Sequence, residues 1–268
     1  MKKLLRLVFL VVFVVSTVLL GRQMLDKKTG SASYEEALKI ATQEKATVST
    51  LPAEKPVEEV TGEPVWIPEP VEDDPELEKL KQIDLAALRE VNPDVVGWIR
   101  IPGTQIDYPL MQGEDNEFYL KHTWLKEKNS VGSAFLEWRN NPDLTDYNTI
   151  VYGHNMNDGS MFADMTRFYD NAFRKEHPYI YIVSDAGIWR YEIFAYYKAW
   201  VDDPTYGLSF HQIETKAKFL LHATEKSVYD TEIIPLENDR ILTLSTCTAS
   251  SQHARWVLQA RLKMMQKG

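Results

Sequence analysis

The chain of 268 residues is 44% hydrophobic and 11% aromatic, enough for one substantial globular core. Its net charge of −9 argues against a nucleic-acid partner, whose usual footprint is a basic patch or a basic excess. A single cysteine excludes an intramolecular disulfide, and in an exported chain a lone thiol is a candidate reactive group.

Residues 1–25 read as a membrane anchor. Lys2, Lys3 and Arg6 precede an uncharged, mainly apolar run over 7–20. Counting Leu4 and Leu5, this run lies near the lower edge of the roughly 17–25 residues that span a bilayer. The apolar core of a cleaved signal peptide is the alternative. The segment Val18-Leu-Leu-Gly21 makes a poor small-x-small cleavage site, which favours an uncleaved anchor. The short amino-terminal tail favours export of the long remainder.

Residues 26–74 change character. Glu35-Glu36, Glu58-Glu59 and Glu72-Asp73-Asp74 alternate with Pro52, Pro56, Pro64, Pro68 and Pro70, and large apolar residues are few. Such a segment buries too little surface to offset its ordering entropy, so it reads as an extended stalk. A helical patch over 34–43 is the one exception in it. Much of the net negative charge sits here, so the acidic balance says little about the rest.

Residues 75–268 read as the globular unit. Asp74-Pro75-Glu76 is a helix start, with a capping carboxylate, a proline at the first position and an acid in the first turn. Leu77, Leu80, Ile83 or Asp84, Leu88 and Val91 then form one apolar stripe, stopped by Asn92-Pro93. Short β-like runs follow at 95–101, 106–111, 132–136, 149–152, 179–183 and 189–197, separated by turn residues. Two more runs flank the cysteine, giving the strand count of a small barrel or sandwich. Helical patterns interrupt at 161–173 and at 210–226. The second carries Phe210, Ile213, Ala217, Leu220 or Leu221 and Ala223 on one face.

Three stretches carry chemistry. Tyr152-Gly153-His154-Asn155 leaves a strand on a glycine, which places His154 like a base at a barrel rim; an ordinary surface histidine fits the pattern as well. Residues 114–120, including Asn116, Tyr119 and Leu120, mix polar and aromatic side chains after a glycine turn, or simply start a helix. The third stretch, 239–262, runs strand, Cys247, short polar loop, then a strand opening at Arg255. A nearby guanidinium favours thiolate over thiol, so Cys247 is a candidate nucleophile. A buried, inert cysteine is the competing reading. His253 rivals His154 by proximity along the chain. No CxxC, HExxH, calcium-loop or phosphate-loop pattern is present, and no serine sits in a G-x-S-x-G elbow.

Taken together, TLSTC ending at Cys247, Arg255 downstream and YGHN containing His154 upstream resemble the sortases, membrane-anchored cysteine transpeptidases of Gram-positive bacteria. The resemblance covers about residues 77–262. The segment from Asn92-Pro-Asp-Val-Val-Gly-Trp98 to Tyr108-Pro-Leu-Met-Gln-Gly113, and a late inserted helix at 210–226, are similar to class B. It implies a mainly β fold: a closed eight-stranded barrel with peripheral helices, an N-terminal helix, and a helix inserted before the strand bearing Cys247. It implies Cys247 as nucleophile, His154 as general acid and base, and Arg255 as the group orienting substrate and stabilising an oxyanion; Arg261 falls too deep in the last strand for that role. Asn116, Leu120, Tyr152, Tyr206 and Ser245 are implied as substrate-binding, Tyr206 only loosely because of an insertion near Pro204.

The implied reaction needs no cofactor or metal. Its partners are secreted proteins carrying a C-terminal sorting signal and an amine of a peptidoglycan precursor, with the catalytic domain outside the cell membrane on a single-pass anchor. Three alternatives remain: a cysteine peptidase passing the acyl group to water, a pilus-assembling sortase, and a non-catalytic surface binding module. Papain-like peptidases place cysteine before histidine, opposite to this chain. The Asp-Pro-aromatic lid motif of pilus enzymes is absent, since Glu76 follows Asp74-Pro75. An intact Cys247, His154 and Arg255 set disfavours a mere binding module.

Overall fold

In a computed structural model, residues 2–43, 74–248 and 251–266 are described. The expected stalk between 44 and 73 therefore lies outside the described residues.

Eight strands close into one barrel in the order β1-β2-β3-β4-β7-β8-β6-β5. They are β1 (Val95–Arg100), β2 (Asp107–Met111), β3 (Ala134–Leu136), β4 (Asn148–Tyr152), β5 (Tyr179–Ser184), β6 (Gly187–Trp200), β7 (Ile241–Thr248) and β8 (Ser251–Gln266). β2–β3 and β4–β7 pair in parallel, and the remaining neighbours are antiparallel. β6 is longer than its sequence pattern suggested, because it pairs with β5 along its first half and with β8 almost throughout. Register shifts at Arg190/Tyr191 and Ile193/Ala195 bend it around the barrel. Trp98, Phe135, Trp189, Tyr191 and Tyr196 are fully buried in the core, and closure leaves no sheet edge to cover.

Two expected helices are each divided by an aspartate. The stripe over 77–91 forms α2 (Pro75–Leu80) and α3 (Leu85–Val91), because Asp84 accepts from Ala87 N and starts a new helix. The pattern at 161–173 becomes a 3-10 turn, Ala163–Tyr169, followed by α4 (Asn171–Glu176), which Asp170 caps through Ala172 N. In both, a side-chain oxygen near the backbone competes with continuation of the helix. The inserted helix, α5 (Ile213–Lys226), starts later than expected and buries Phe219, Leu220 and Ala223. Ile213 and Leu221, both offered for the core face, are exposed.

The largest departure lies at the amino terminus. α1 runs unbroken over Lys2–Ala41, so the helical patch expected from residue 34 is present as far as Ala41, and the part of the expected stalk from Asp26 to Ser33 is helix as well. Gly30, Ser33, Tyr34, Ala37 and Ala41 are buried and recur at three- and four-residue steps, giving one docked face. Trp124 Nε1 donates to Ser33 O at 2.7 Å, and Asn129 Nδ2 donates to Asp26 O at 2.7 Å. The composition argument failed because, apart from Tyr34, this face is made of small residues, which let the helix approach closely with a single large side chain. Between Phe9 and Leu20 the large apolar side chains are exposed, and the helix from Phe9 to Ala41 contains a stretch long and apolar enough to cross a membrane.

Candidate active site

Three adjacent strands, β4, β7 and β8, bring the chemistry-bearing residues to one end of the barrel. In the parallel β4–β7 ladder Tyr152 stands opposite Ser245. His154 and Cys247 each follow two residues further along, His154 just past the end of β4 and Cys247 still within β7. β8 returns antiparallel, and there Cys247 stands directly opposite Arg255. A thiol-bearing and a guanidinium-bearing residue thus come from two neighbouring strands, and an imidazole-bearing one from the segment just past a third.

A groove of about 400 Å³ opens at this end, with His154, Arg255 and Thr246 in its wall. Asn116, Leu120, Tyr152, Tyr206 and Ser245 line it too, so every other residue singled out for substrate contact comes to the same place. His253 does not line this groove; it is exposed, and its carbonyl accepts from Val201 N at 3.0 Å. His122 stacks on Phe118, and His222 bonds to Asp203. Arg261 is bound to Glu192 and stands opposite Ile241, at the far end of β7 from Cys247.

The imidazole of His154 has a defined tautomer. Its Nε2 lies 2.7 Å from Leu120 O. A carbonyl only accepts, so Nε2 carries the hydrogen and Nδ1 is the basic nitrogen of the neutral ring. Gly153, just before it, passes against Phe162: a Cβ there would lie 2.6 Å from the Phe162 ring. Gly132 lies against the ring itself. It has φ +63°, and a Cβ on it would lie 2.9 Å from His154 Cδ2 and from Leu120 O.

One wall is organised by a carboxylate that the sequence reading missed. Glu137 is fully buried just beyond β3. It accepts from Arg139 Nε at 2.6 Å, Asn116 Nδ2 at 2.6 Å and Tyr152 OH at 3.0 Å. Burial alone would raise its pKa, but these three bonds outweigh burial and hold it below the usual range. Burial, reinforced by the negative charge of Glu137, pushes the Tyr152 phenol up, so Tyr152 remains a donor. Phe135 packs on the Tyr152 ring with centroids 5.3 Å apart.

The 3-10 turn Pro204–Tyr206, which leads toward α5, supplies a further part of the lining. Tyr206 OH and Ser245 Oγ are 2.9 Å apart. The turn is pinned by Asn148 Nδ2, which donates to Thr205 O at 3.1 Å and Gly207 O at 2.9 Å. Asp203 caps it and also receives Lys226 Nζ at 2.5 Å and His222 Nε2 at 2.6 Å from α5. Burial opposes its ionisation, yet the Lys226, Thr205 and His222 bonds prevail and hold the carboxyl at about 2.

Comparison with known proteins agrees with this architecture. The Sortase domain family model matches residues 99–263. Sortase B of Listeria monocytogenes is 34% identical over 262 residues, covering 97% of this chain and 96% of that protein. The Staphylococcus aureus sortase B-substrate complex superposes with a TM-score of 0.70 at 26% identity, over 89% of this chain and 98% of that one. Sortase B of B. anthracis, solved with AAEK1, gives a TM-score of 0.69 at 27% identity over 91% of this chain and 100% of the other. A closed barrel of this strand order and a family match over most of its length lead to one conclusion: the chain belongs to the sortase family, as a class B-like cysteine transpeptidase.

Proposed function

We propose that this transpeptidase cleaves a C-terminal sorting signal of secreted proteins and joins them to an amine of a peptidoglycan precursor. The observation that supports the residue roles is the β4–β7–β8 register: Arg255 stands opposite Cys247, and His154 and Cys247 each lie two residues beyond the paired Tyr152 and Ser245. A relative solved with its substrate supports a substrate in the corresponding groove. The apolar first half of α1 supports a single-pass anchor in the membrane of a Gram-positive cell, with the barrel outside.

In this reading the Cys247 thiolate attacks the carbonyl carbon of a threonine in the signal, forming a C–S bond and a tetrahedral oxyanion. The Arg255 guanidinium donates to that oxyanion and orients the substrate. His154 delivers a proton to the departing amine as the C–N bond breaks, leaving a thioacyl-enzyme. The accepting amine then attacks the thioester carbonyl, His154 takes the proton it loses, and the Cys247 thiolate departs. Since Nε2 of His154 is committed to Leu120 O, Nδ1 is the nitrogen that exchanges the proton. Asn116, Leu120, Tyr152, Tyr206 and Ser245 hold the peptide in the groove.

The test uses the full-length protein in detergent micelles, a library of fluorogenic sorting peptides, and a panel of amines. Mass spectrometry should find an acyl adduct on Cys247, and a joined product whose yield rises with amine concentration. Cys247→Ala should show neither. Cleavage at the same rate with every amine would assign the acyl group to water instead. A folded protein that forms no adduct with any peptide would defeat the reading.

A further inference from the structure

α1 reaches the catalytic histidine by two separate routes, both through Tyr34. Tyr34 OH donates to Gly132 O and lies 3.2 Å from Ser133 Oγ. Gly132 is the residue whose backbone lies against the His154 ring, at a distance that leaves no room for a Cβ. Ser133 N in turn donates to Tyr119 O at 2.9 Å, beside the Leu120 carbonyl that accepts the hydrogen bond from His154 Nε2. The seat of the imidazole is therefore two chain segments, 119–120 and 132–133, tied together and fastened from outside by one phenol.

The second route runs through the ring of Tyr34, which packs edge-on against Tyr108 with centroids 5.1 Å apart. Tyr108 OH accepts from Met161 N at 3.0 Å. Met161 is buried with φ +55°, a conformation uncommon for a non-glycine residue that needs such outside support. The next residue, Phe162, donates its N–H to His154 O at 2.9 Å and carries the ring on which Gly153 rests. One side chain thus braces the imidazole from beneath and the backbone of its loop from the side.

We infer that Tyr34, on the docked end of α1, is a positioning residue for His154, so that proton transfer in the active site depends on the helix leading from the membrane anchor. The inference rests on the reading of His154 as the acid and base. It adds that the segment joining anchor to enzyme is a working part of the site. A positional error of about 1 Å in a catalytic group can cost on the order of a hundredfold in rate, and loss of one of two braces should cost less.

The test compares Tyr34→Phe with the wild-type full-length chain in micelles, using the library peptide with the highest turnover. Tyr34→Phe keeps the ring on Tyr108 and removes the bond to Gly132. The expected result is a kcat lowered roughly tenfold, KM within about twofold, and a displaced pH–rate profile. Histidine-selective 15N spectra, with His154 assigned through His154→Gln, should move from the Nε2–H tautomer toward a mixture. If only thermal stability changes, or KM alone, with kcat, pH profile and ring signals intact, Tyr34 is a structural contact and the inference fails. Should Tyr34→Phe not accumulate in folded form, Tyr108→Phe cuts the second route and must shift the same ring signals and kcat. An enzyme that keeps full turnover as His154→Ala would overturn the acid–base reading itself, and the ring signals would then judge the bracing alone.

Discussion

Tyr206 and Ser245, both in the lining of the groove, are joined by a hydroxyl–hydroxyl contact of 2.9 Å. The residues come from distant parts of the chain, the turn leading toward α5 and the middle of β7, two positions before Cys247. Tyr206 also lies over Tyr152 with ring centroids 6.5 Å apart and planes 22° from parallel. Removing the phenol oxygen keeps the ring over Tyr152 but breaks its bond to Ser245. A hydrogen bond of this kind contributes about 0.5–1.5 kcal/mol net. Tyr206→Phe should therefore raise KM for the sorting peptide by about 2- to 10-fold with kcat nearly unchanged. Ser245→Ala should do the same, and the double variant should be no worse than either single one. Additive losses in steady-state kinetics would show that the two hydroxyls act separately.

Glu137 makes a second prediction, because it couples groove shape to pH. Its carboxylate holds Asn116 and Tyr152, both of which line the groove. Its folded pKa is below the ordinary 4.5, so it contributes stability that is present above that value and lost as pH falls through the folded value. Glu137→Gln removes the charge and weakens three bonds at a buried site, a change that costs about 1–3 kcal/mol. Urea midpoints should show that gap at pH 7 and a smaller one below pH 4.5. Peptide KM should rise as Asn116 and Tyr152 loosen.

The barrel was legible because its strands are short runs of β-branched and aromatic residues bounded by glycine and proline. The Cys247 and Arg255 pairing was legible because a strand, short loop and return strand must place their facing ends opposite each other. Glu137 was not, because Glu137-Trp138-Arg139 after a short strand reads as a solvated turn; only the fold shows that 116 and 152 come to meet it. The docked face of α1 was missed for a different reason. Its stripe of Gly30, Ser33, Tyr34, Ala37 and Ala41 has helical period but little hydrophobicity, so composition hid what spacing contained. The division of the 77–91 helix at Asp84 turned on whether that position served the stripe or a cap, and the cap prevailed.

Asp203 anchors the wall that carries Tyr206, and its ionisation predicts an acid limb of stability. Its folded pKa of about 2 lies under the ordinary 3.8. The stabilisation is thus complete above 3.8 and disappears as pH falls through about 2. The shift corresponds to about 2 kcal/mol at neutral pH. Asp203→Asn should lower unfolding free energy by about that amount at pH 7, and the difference should shrink as the pH drops below 4. Guanidinium titrations at several pH values would measure it. Because His222 and Lys226 tie the same carboxylate to α5, the variant should also raise peptide KM through Tyr206. A stability loss that stays constant from pH 7 to pH 3 would mean that packing, not charge, is what Asp203 supplies.

Gly153 sets the last prediction, because the residue before His154 has no space for a side chain. A Cβ there would meet the Phe162 ring at 2.6–2.8 Å, and the ring is fully buried, so it cannot swing into solvent. Phe162 N is also bonded to His154 O, so any shift of the ring is passed to the histidine loop. Gly153→Ala should lower kcat by about tenfold or more, as the imidazole moves relative to Cys247, with overpacking that costs about 1–3 kcal/mol of stability. Phe162→Leu removes ring atoms where the new methyl would go. The pair Gly153→Ala with Phe162→Leu should therefore recover part of the lost kcat, although Phe162→Leu alone lowers stability. Recovery reports a clash relieved. If the double variant is as slow as Gly153→Ala, the glycine is needed for its backbone rather than for the space above it.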